Sequence, residues 1–247
     1  MGDRIDIVVV SCNRLPCTRR AIRTIHERTF TPFRLIVVDN GSFDGSVEWL
    51  LQAHRNGLIH RLVLLKENYG VHWAKNIGLH LVRSAPYYVD TDNDIICPKL
   101  TPDWLEQLVE LMDKHPDFGA IALRPHVFVG GIPGWSEEHE VVEVPWVGAV
   151  MRIMRTQLVR EFGWKKVKQP GRDNEEKWVA SKMHARGYRV GYARDLYAIH
   201  LFGTDSRDPW GYPVGFQHGH KEVWPPVNHF SWDRMNVDWE TCKPIGT

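Results

Sequence analysis

The chain has 247 residues, enough to bury a full core as one α/β domain or as two small lobes sharing a sheet. Its 31 Lys and Arg against 30 Asp and Glu leave the net charge near zero, which excludes nucleic-acid binding driven by a broad basic surface. No apolar run approaches the roughly 18 residues of a membrane helix, and the N-terminal MGDRIDIVVV lacks the ordered regions of a signal peptide. Cys12, Cys17, Cys97 and Cys242 form no C-x-x-C pair, so neither a zinc ribbon nor a redox motif is written here and reduced thiols are expected. The expectation is a soluble cytoplasmic protein without a transmembrane segment, with peripheral membrane contact left open.

Residues 5–10 form a continuous apolar run bounded by polar residues, the pattern of a strand buried on both faces of a parallel sheet. Runs at 35–38 and 62–65 repeat it, and helical stretches at 19–27, 47–53 and 71–82 alternate with them. A fourth strand begins at Tyr87. This strand–helix alternation predicts a mostly parallel sheet with right-handed crossovers. Beyond it, Leu105, Leu108, Val109 and Met112 mark an amphipathic helix entered from Pro102, and 118–123 reads as a strand. A Gly- and Pro-rich loop is expected over 126–138, then an apolar stretch at 145–151 and a helix over 156–162. A helix bearing Asp173, Glu175 and Glu176 at its start should end at Gly187, followed by strands at 189–193 and 197–199, the second running into His200.

Ligands of such sheets bind outside the carboxyl ends of the strands. The polar strings of this chain fall there: Ser11-Cys12-Asn13-Arg14, Asp39-Asn40-Gly41-Ser42, Glu67-Asn68-Tyr69-Gly70, and Asp90, Asp92 and Asp94 on alternate positions after Tyr87-Tyr88-Val89. Like charges a few ångströms apart repel by roughly 1 to 4 kcal/mol, so an acidic trio calls for a cation, and oxygen-rich sites suit Mg²⁺ or Mn²⁺ shared with substrate phosphates. An Asp-rich turn is the plainer alternative, since Asp and Asn cap their own backbone. Helix capping is likewise the plain account of Asp173, Glu175 and Glu176.

In this order the strings resemble the family 2 glycosyltransferases of the GT-A fold, over about residues 5–203. The resemblance rests on the Ser11 to Arg14 turn, on Asp39 to Ser42 with Asp44-Gly45, on Asn68 to Gly70 followed by Ala74-Lys75-Asn76-Ile77-Gly78, and on Asp90-Thr91-Asp92 as the family's Asp-x-Asp motif. It implies an α/β GT-A (Rossmann-like) three-layer fold with a mostly parallel central sheet and helices on both faces. Residues 1–100 would form the nucleotide-sugar half and 101–203 the acceptor half of one domain, with 204–247 as a tail or lid. The activity implied is inverting, metal-dependent transfer of a hexose-type sugar from a nucleoside-diphosphate sugar, with UDP the expected nucleotide, to a glycan, lipid-linked or small-molecule acceptor.

By the same resemblance, Asp39 contacts the nucleobase and Lys75 lies near the base or diphosphate. Asp90 and Asp92 address the ribose and the metal, with Asp92 the first choice as ligand. Ser11, Asn13, Arg14, Gly70, Asn76 and Thr91 join them around the donor, and His200 completes the Mn²⁺ or Mg²⁺ site. Counting back from Gly187-Tyr188, the family's acidic pair falls on Glu175-Glu176; Glu176 is the favoured general base, with Asp173 and Glu175 as the other candidates. Asp94 is left as outer-sphere or solvated. The chain departs from the family in having Cys12 where some relatives stack the base on an aromatic ring, and Glu-Glu in place of Glu-Asp. Trp135, Trp146, Trp164 and Trp178 lie in the acceptor half as either core or ligand residues.

Three other readings compete. A nucleotidyltransferase shares the fold type and an acidic pair, yet residues 11–20 contain no Gly for its phosphate loop. A non-catalytic nucleotide-sugar or carbohydrate-binding module would have no use for the acid pair. A dinucleotide oxidoreductase lacks its G-x-G-x-x-G.

Overall fold

A computed structural model describes residues 4–83, 85–126, 138–165, 175–201 and 237–245. The expected sites at Asp173 and Trp135, the middle of the 126–138 loop and residues 204–236 of the tail lie outside them. The apolar runs become β1 (Ile5–Ser11), β2 (Phe33–Asp39), β3 (Arg61–Leu64) and β4 (Tyr87–Asp92), joined by α1 (Leu15–Arg28), α2 (Ser46–Arg55) and α3 (Val71–Leu81). Then come β5 (Ile95–Ile96), α4 (Trp104–Lys114), β6 (Phe118–Pro125), β7 (Val141–Glu143), β8 (Arg152–Arg155), α5 (Thr156–Phe162), α6 (Glu175–His184) and β9 (Arg189–His200).

The strands form a nine-stranded sheet in the order β3-β2-β1-β4-β8-β6-β9-β5, with β7 paired to β9. The run β3-β2-β1-β4 is parallel; β8 enters antiparallel between β4 and β6, and β6 and β9 are again parallel. Successive β1 residues point to opposite faces, and each face is covered. Ile7 and Val9 pack with Ile22 and Ile25 of α1, Leu50 of α2 and Trp104, Leu105 and Leu108 of α4. Val8 packs with Leu79 of α3, Leu158 and Val159 of α5 and Val179 and Met183 of α6. This is the expected α/β sheet with helices on both faces. No helix among the described residues is long and apolar enough to cross a membrane.

Glycines fix two of the motifs sterically. A Cβ at Gly78 would overlap the Val8 side chain, so α3 lies directly on β1 only because residue 78 has none. Gly41 has φ +80° and a Cβ there would overlap the backbone at Glu67, which brings the ends of β2 and β3 together.

Two boundaries differ from expectation. β4 continues through Asp90 and Thr91 to Asp92, whereas the acids were expected to begin where the strand stops. A carboxylate survives there because Asp90 lies opposite Arg152 of β8 in register and is neutralised by it. The expected pair of strands at 189–199 is one strand, whose pairing with β6 shifts register between Ala122 and Arg124 instead of breaking. Of the tail, residues 237–245 dock beside α1: Lys99 N–H donates to the Glu240 carbonyl at 2.6 Å, and the Arg20 guanidinium lies 4.3 Å from the Trp239 ring centre.

A second in-register Asp–Arg pair anchors the parallel half. Asp6 of β1 faces Arg34 of β2, with Arg34 Nε and Nη2 donating to the two carboxylate oxygens at 2.6 and 2.7 Å, and Arg83 N–H donating to Asp6 Oδ2 at 2.6 Å. Asp6 is wholly buried. Asp6→Ala strands the Arg34 charge and is expected to cost about 3–5 kcal/mol in urea unfolding. A loss below ~1 kcal/mol would mean that water reaches the pair and that it contributes as little as a surface ion pair.

Candidate active site

Parallel register brings the strand ends level: Ser11 is opposite Asp39, and Val10 is opposite Asp92. The chain leaves β1 through two left-handed residues, Asn13 and Arg14, with φ of 55° and 61°. That turn is held by Asn93, whose amide donates to the Asn13 carbonyl at 3.0 Å, Thr18 Oγ1 at 2.7 Å and Ser11 Oγ at 3.3 Å. Asn93 was not singled out from sequence; its place between two aspartates in a strand-ending turn was the available signal. Asn13 in turn clamps the next loop, its N–H donating to Ser42 Oγ at 2.6 Å and its Oδ1 accepting from Phe43 N–H at 2.8 Å. The Asp39 carboxylate accepts from the N–H and hydroxyl of Ser42. Burial still pushes its acidity to the weak side of the ordinary value, against those hydrogen bonds.

The three aspartates have three environments. Asp90 is buried, its Oδ2 accepting from Arg152 Nη2 at 2.6 Å and Lys75 Nζ at 3.0 Å. Burial alone would raise its pKa, but the two cations outweigh it and hold the carboxyl below its usual range. Trp164 lies over both cations, its ring centre 4.6 Å from Lys75 Nζ and 5.0 Å from Arg152 Cζ. Asp92 sits half-buried at the strand end; burial raises its pKa, Lys75 opposes the shift only in part, and Asp94, Glu176 and Asp90 add repulsion.

Asp94 is neither solvated nor incidental. It is 1% exposed, and its Oδ2 takes Arg14 Nη1 at 2.6 Å. Its Oδ1 makes no hydrogen bond among the described residues and stands 3.4 Å from His200 Nε2. Burial would raise its pKa; His200 and Arg14 together lower it. His200 is brought there by β9, in register with Ile95, and by the Leu201 N–H to Asp94 carbonyl bond at 2.9 Å. Its own pKa, which burial would lower, is raised by Asp94.

Several residues expected around the donor turn inward instead. Lys75, 1% exposed, is committed to Asp90. Both ends of the Asn76 amide bind the backbone of Trp164, at 2.8 Å each. The Thr91 hydroxyl is buried between Met151 N–H and the Ala149 carbonyl, at 3.3 Å each. Asn76 and Thr91 thereby tie α3 and β4 to residues 149–164. Gly70, with φ +94°, begins α3.

The link to the acidic pair runs through Ala149. Its carbonyl accepts from Asp92 N–H at 3.1 Å, and its N–H donates to Glu176 Oε1 at 2.9 Å. Glu176 is thus held one residue's width from Asp92, although 84 positions separate them in sequence. Glu175, at the first position of α6, is half-buried. The rest of this segment is strapped as well: Arg152 Nη1 donates to the Val147 carbonyl at 2.8 Å, Tyr192 Oη accepts from Gly148 N–H at 3.0 Å, and Leu123 N–H donates to the Val150 carbonyl at 3.0 Å. Arg152 and Tyr192 were missed from sequence, since nothing local marks a strand arginine or tyrosine as a strap.

No three His, Cys, Asp or Glu side chains among the described residues converge closely enough to hold an ion unaided. Asp94 Oδ1 and His200 Nε2 face each other at 3.4 Å, and with the imidazole deprotonated they would offer one carboxylate oxygen and one nitrogen, a donor set that fits a divalent ion whose remaining positions go to phosphates and water.

Residues 6–187 match the model of glycosyl transferase family 2. No curated protein shows significant sequence similarity to the chain. Among solved structures, the mannosyltransferase PcManGT from Pyrobaculum calidifontis, in complex with GDP-Man and Mn²⁺, superposes with TM-score 0.65 at 20% identity, over 81% of this chain and 57% of that one. S. aureus TarS 1-349 with UDP gives 0.62 at 16%, over 80% and 60%. GalNAc-T7 with UDP, GalNAc and Mn²⁺ gives 0.64 at 13%, over 80% and 43%. The chain therefore spans less than two-thirds of these relatives, and the likeness is one of fold.

Tyr192→Phe removes the acceptor of the half-buried Gly148 N–H, and a loss of about 0.5–1.5 kcal/mol is expected. Amide exchange should accelerate at Gly148 and Ala149 but not in β1 or β2; unchanged protection at 148–149 would show that the strap is dispensable.

Proposed function

This chain belongs to glycosyltransferase family 2, and from that premise we propose that it is an inverting, metal-dependent enzyme transferring a hexose-type sugar from a nucleoside-diphosphate sugar, with UDP as the favoured nucleotide, to an acceptor hydroxyl. The observation that carries this is the Ala149 bridge, which sets a carboxylate at the start of α6 beside the aspartate cluster. Donor chemistry on one side and proton acceptance on the other are the two halves of such a transfer.

In this reading Asp39 and the Ser11 to Arg14 turn line the nucleoside end. The pairing of acids moves by two positions relative to the sequence expectation. Asp90 is a buried counter-ion, Asp92 faces the donor at the strand end, and Asp94 with His200 receives the cation. A bound Mn²⁺ or Mg²⁺ would neutralise charge that accumulates on the departing diphosphate. Imidazole in the donor set favours Mn²⁺ over Mg²⁺, and two of the related structures contain Mn²⁺. Glu176, fixed by Ala149, accepts the acceptor hydroxyl's proton as that oxygen attacks the anomeric carbon from the face opposite the leaving group.

Two measurements test this. Asp94→Asn should weaken Mn²⁺-dependent binding of UDP in calorimetry by about 10- to 100-fold; if Asp92→Asn does so and Asp94→Asn does not, the cation belongs to Asp92. Glu176→Gln should spare UDP–Mn²⁺ affinity while reducing kcat by about 10² to 10⁴. A retained anomeric configuration in the product, read by NMR, would refute inversion.

A further inference from the structure

We propose that Trp146 is the platform of an acceptor subsite and that the acceptor is a pyranoside, whose apolar face packs on the indole while a hydroxyl reaches Glu176. This inference rests on the reading of Glu176 as the base.

The structure separates the tryptophans of the acceptor half. Trp164 is 5% exposed and covers Lys75 and Arg152. Trp178 packs against the core, with Lys182 Nζ 4.2 Å from its ring centre. Trp146 differs: it is 39% exposed and belongs to the strapped segment that holds Glu176. Lys177, which follows Glu176 in α6, brings its Nζ to 4.8 Å from the Trp146 ring centre. Trp146 is therefore tied to the base along two routes, through the chain to Ala149 and through α6.

Position and chemistry together select the ligand. An indole held on a rigid segment gives a flat apolar face at little entropic cost on binding. Lys177 Nζ lies over the ring, 4.8 Å from its centre, and the segment that carries Trp146 also holds the Glu176 carboxylate, surroundings that suit a molecule with an apolar C–H face and a polar rim. A pyranose has that shape. A lipid chain needs a wider apolar surface, and Trp146 is the one exposed large hydrophobic residue among the described residues of 138–201.

The test uses the full chain with UDP-glucose, UDP-GlcNAc and GDP-mannose as donors. Methyl α- and β-D-gluco-, galacto- and mannopyranosides are offered as acceptors, with a polyprenyl phosphate as the lipid arm. Trp146→Ala is expected to raise KM for the best pyranoside about tenfold or more while kcat at saturation and UDP–Mn²⁺ affinity hold. Trp146→Phe should restore most of the loss. The proposal is overturned if Trp146→Ala leaves acceptor KM unchanged, if no pyranoside accepts sugar, or if the polyprenyl phosphate is the preferred acceptor. Failure of the base assignment has a different signature, full turnover by Glu176→Gln, which the KM of Trp146→Ala does not report.

Discussion

One carboxylate buried in the middle of the sheet organises this protein. Asp90 cannot remain ionised in a dry interior without compensation, and its partners come from outside its own strand: Arg152 from β8 and Lys75 from α3. Satisfying it holds β8 against β4 and ties α3, which packs on β1 and β2, to β4 through Lys75. The segment preceding β8 is then fixed by the same arginine, through the Val147 carbonyl. Two cations against one carboxylate leave a unit of positive charge inside. The acids that feel it are Asp92 and Glu175, through Lys75, and Glu176, through Arg152.

The rest of the site follows from how each acid meets this charge. Asp90 is consumed by it. Asp92, at the edge, is left with repulsion from Asp94 and Glu176 that Lys75 does not cancel. Asp94 escapes by finding cations of its own, Arg14 from the end of β1 and His200 from the end of β9. Alternate residues of a strand share a face, yet these three carboxylates do not share one environment. The strand ends after Asp92, and the turn carries Asp94 toward β9.

Much of the fold was legible because it depends on local periodicity. The apolar runs at β1, β2 and β4 are buried on both faces, and Gly41 and Gly78 of the motifs sit where close packing leaves no room for a Cβ. The candidate site was legible as a neighbourhood, since the strings at strand ends converge wherever parallel strands end together. Roles within it were less so. Asp90, Asp92 and Asp94 look alike in sequence because spacing alone cannot distinguish an acid with a buried arginine from one beside a histidine. Lys75, Asn76 and Thr91 lie in a family motif and would be assigned to the donor by position, but their polar atoms are engaged by Asp90, by the Trp164 backbone and by the backbone of Ala149 and Met151.

By itself, then, the sequence determined the strand–helix order, the end of the sheet at which the polar strings gather and the acids among them, because apolar period, turn chemistry and charge are properties of neighbouring residues. Only the tertiary structure decided which counter-ions each acid meets, since these lie 62 residues away in Arg152, 80 in Arg14 and about 100 in His200. It also decided which tryptophan faces outward. Exposure is set by what packs against a side chain, and a tryptophan's packing partners are not written beside it.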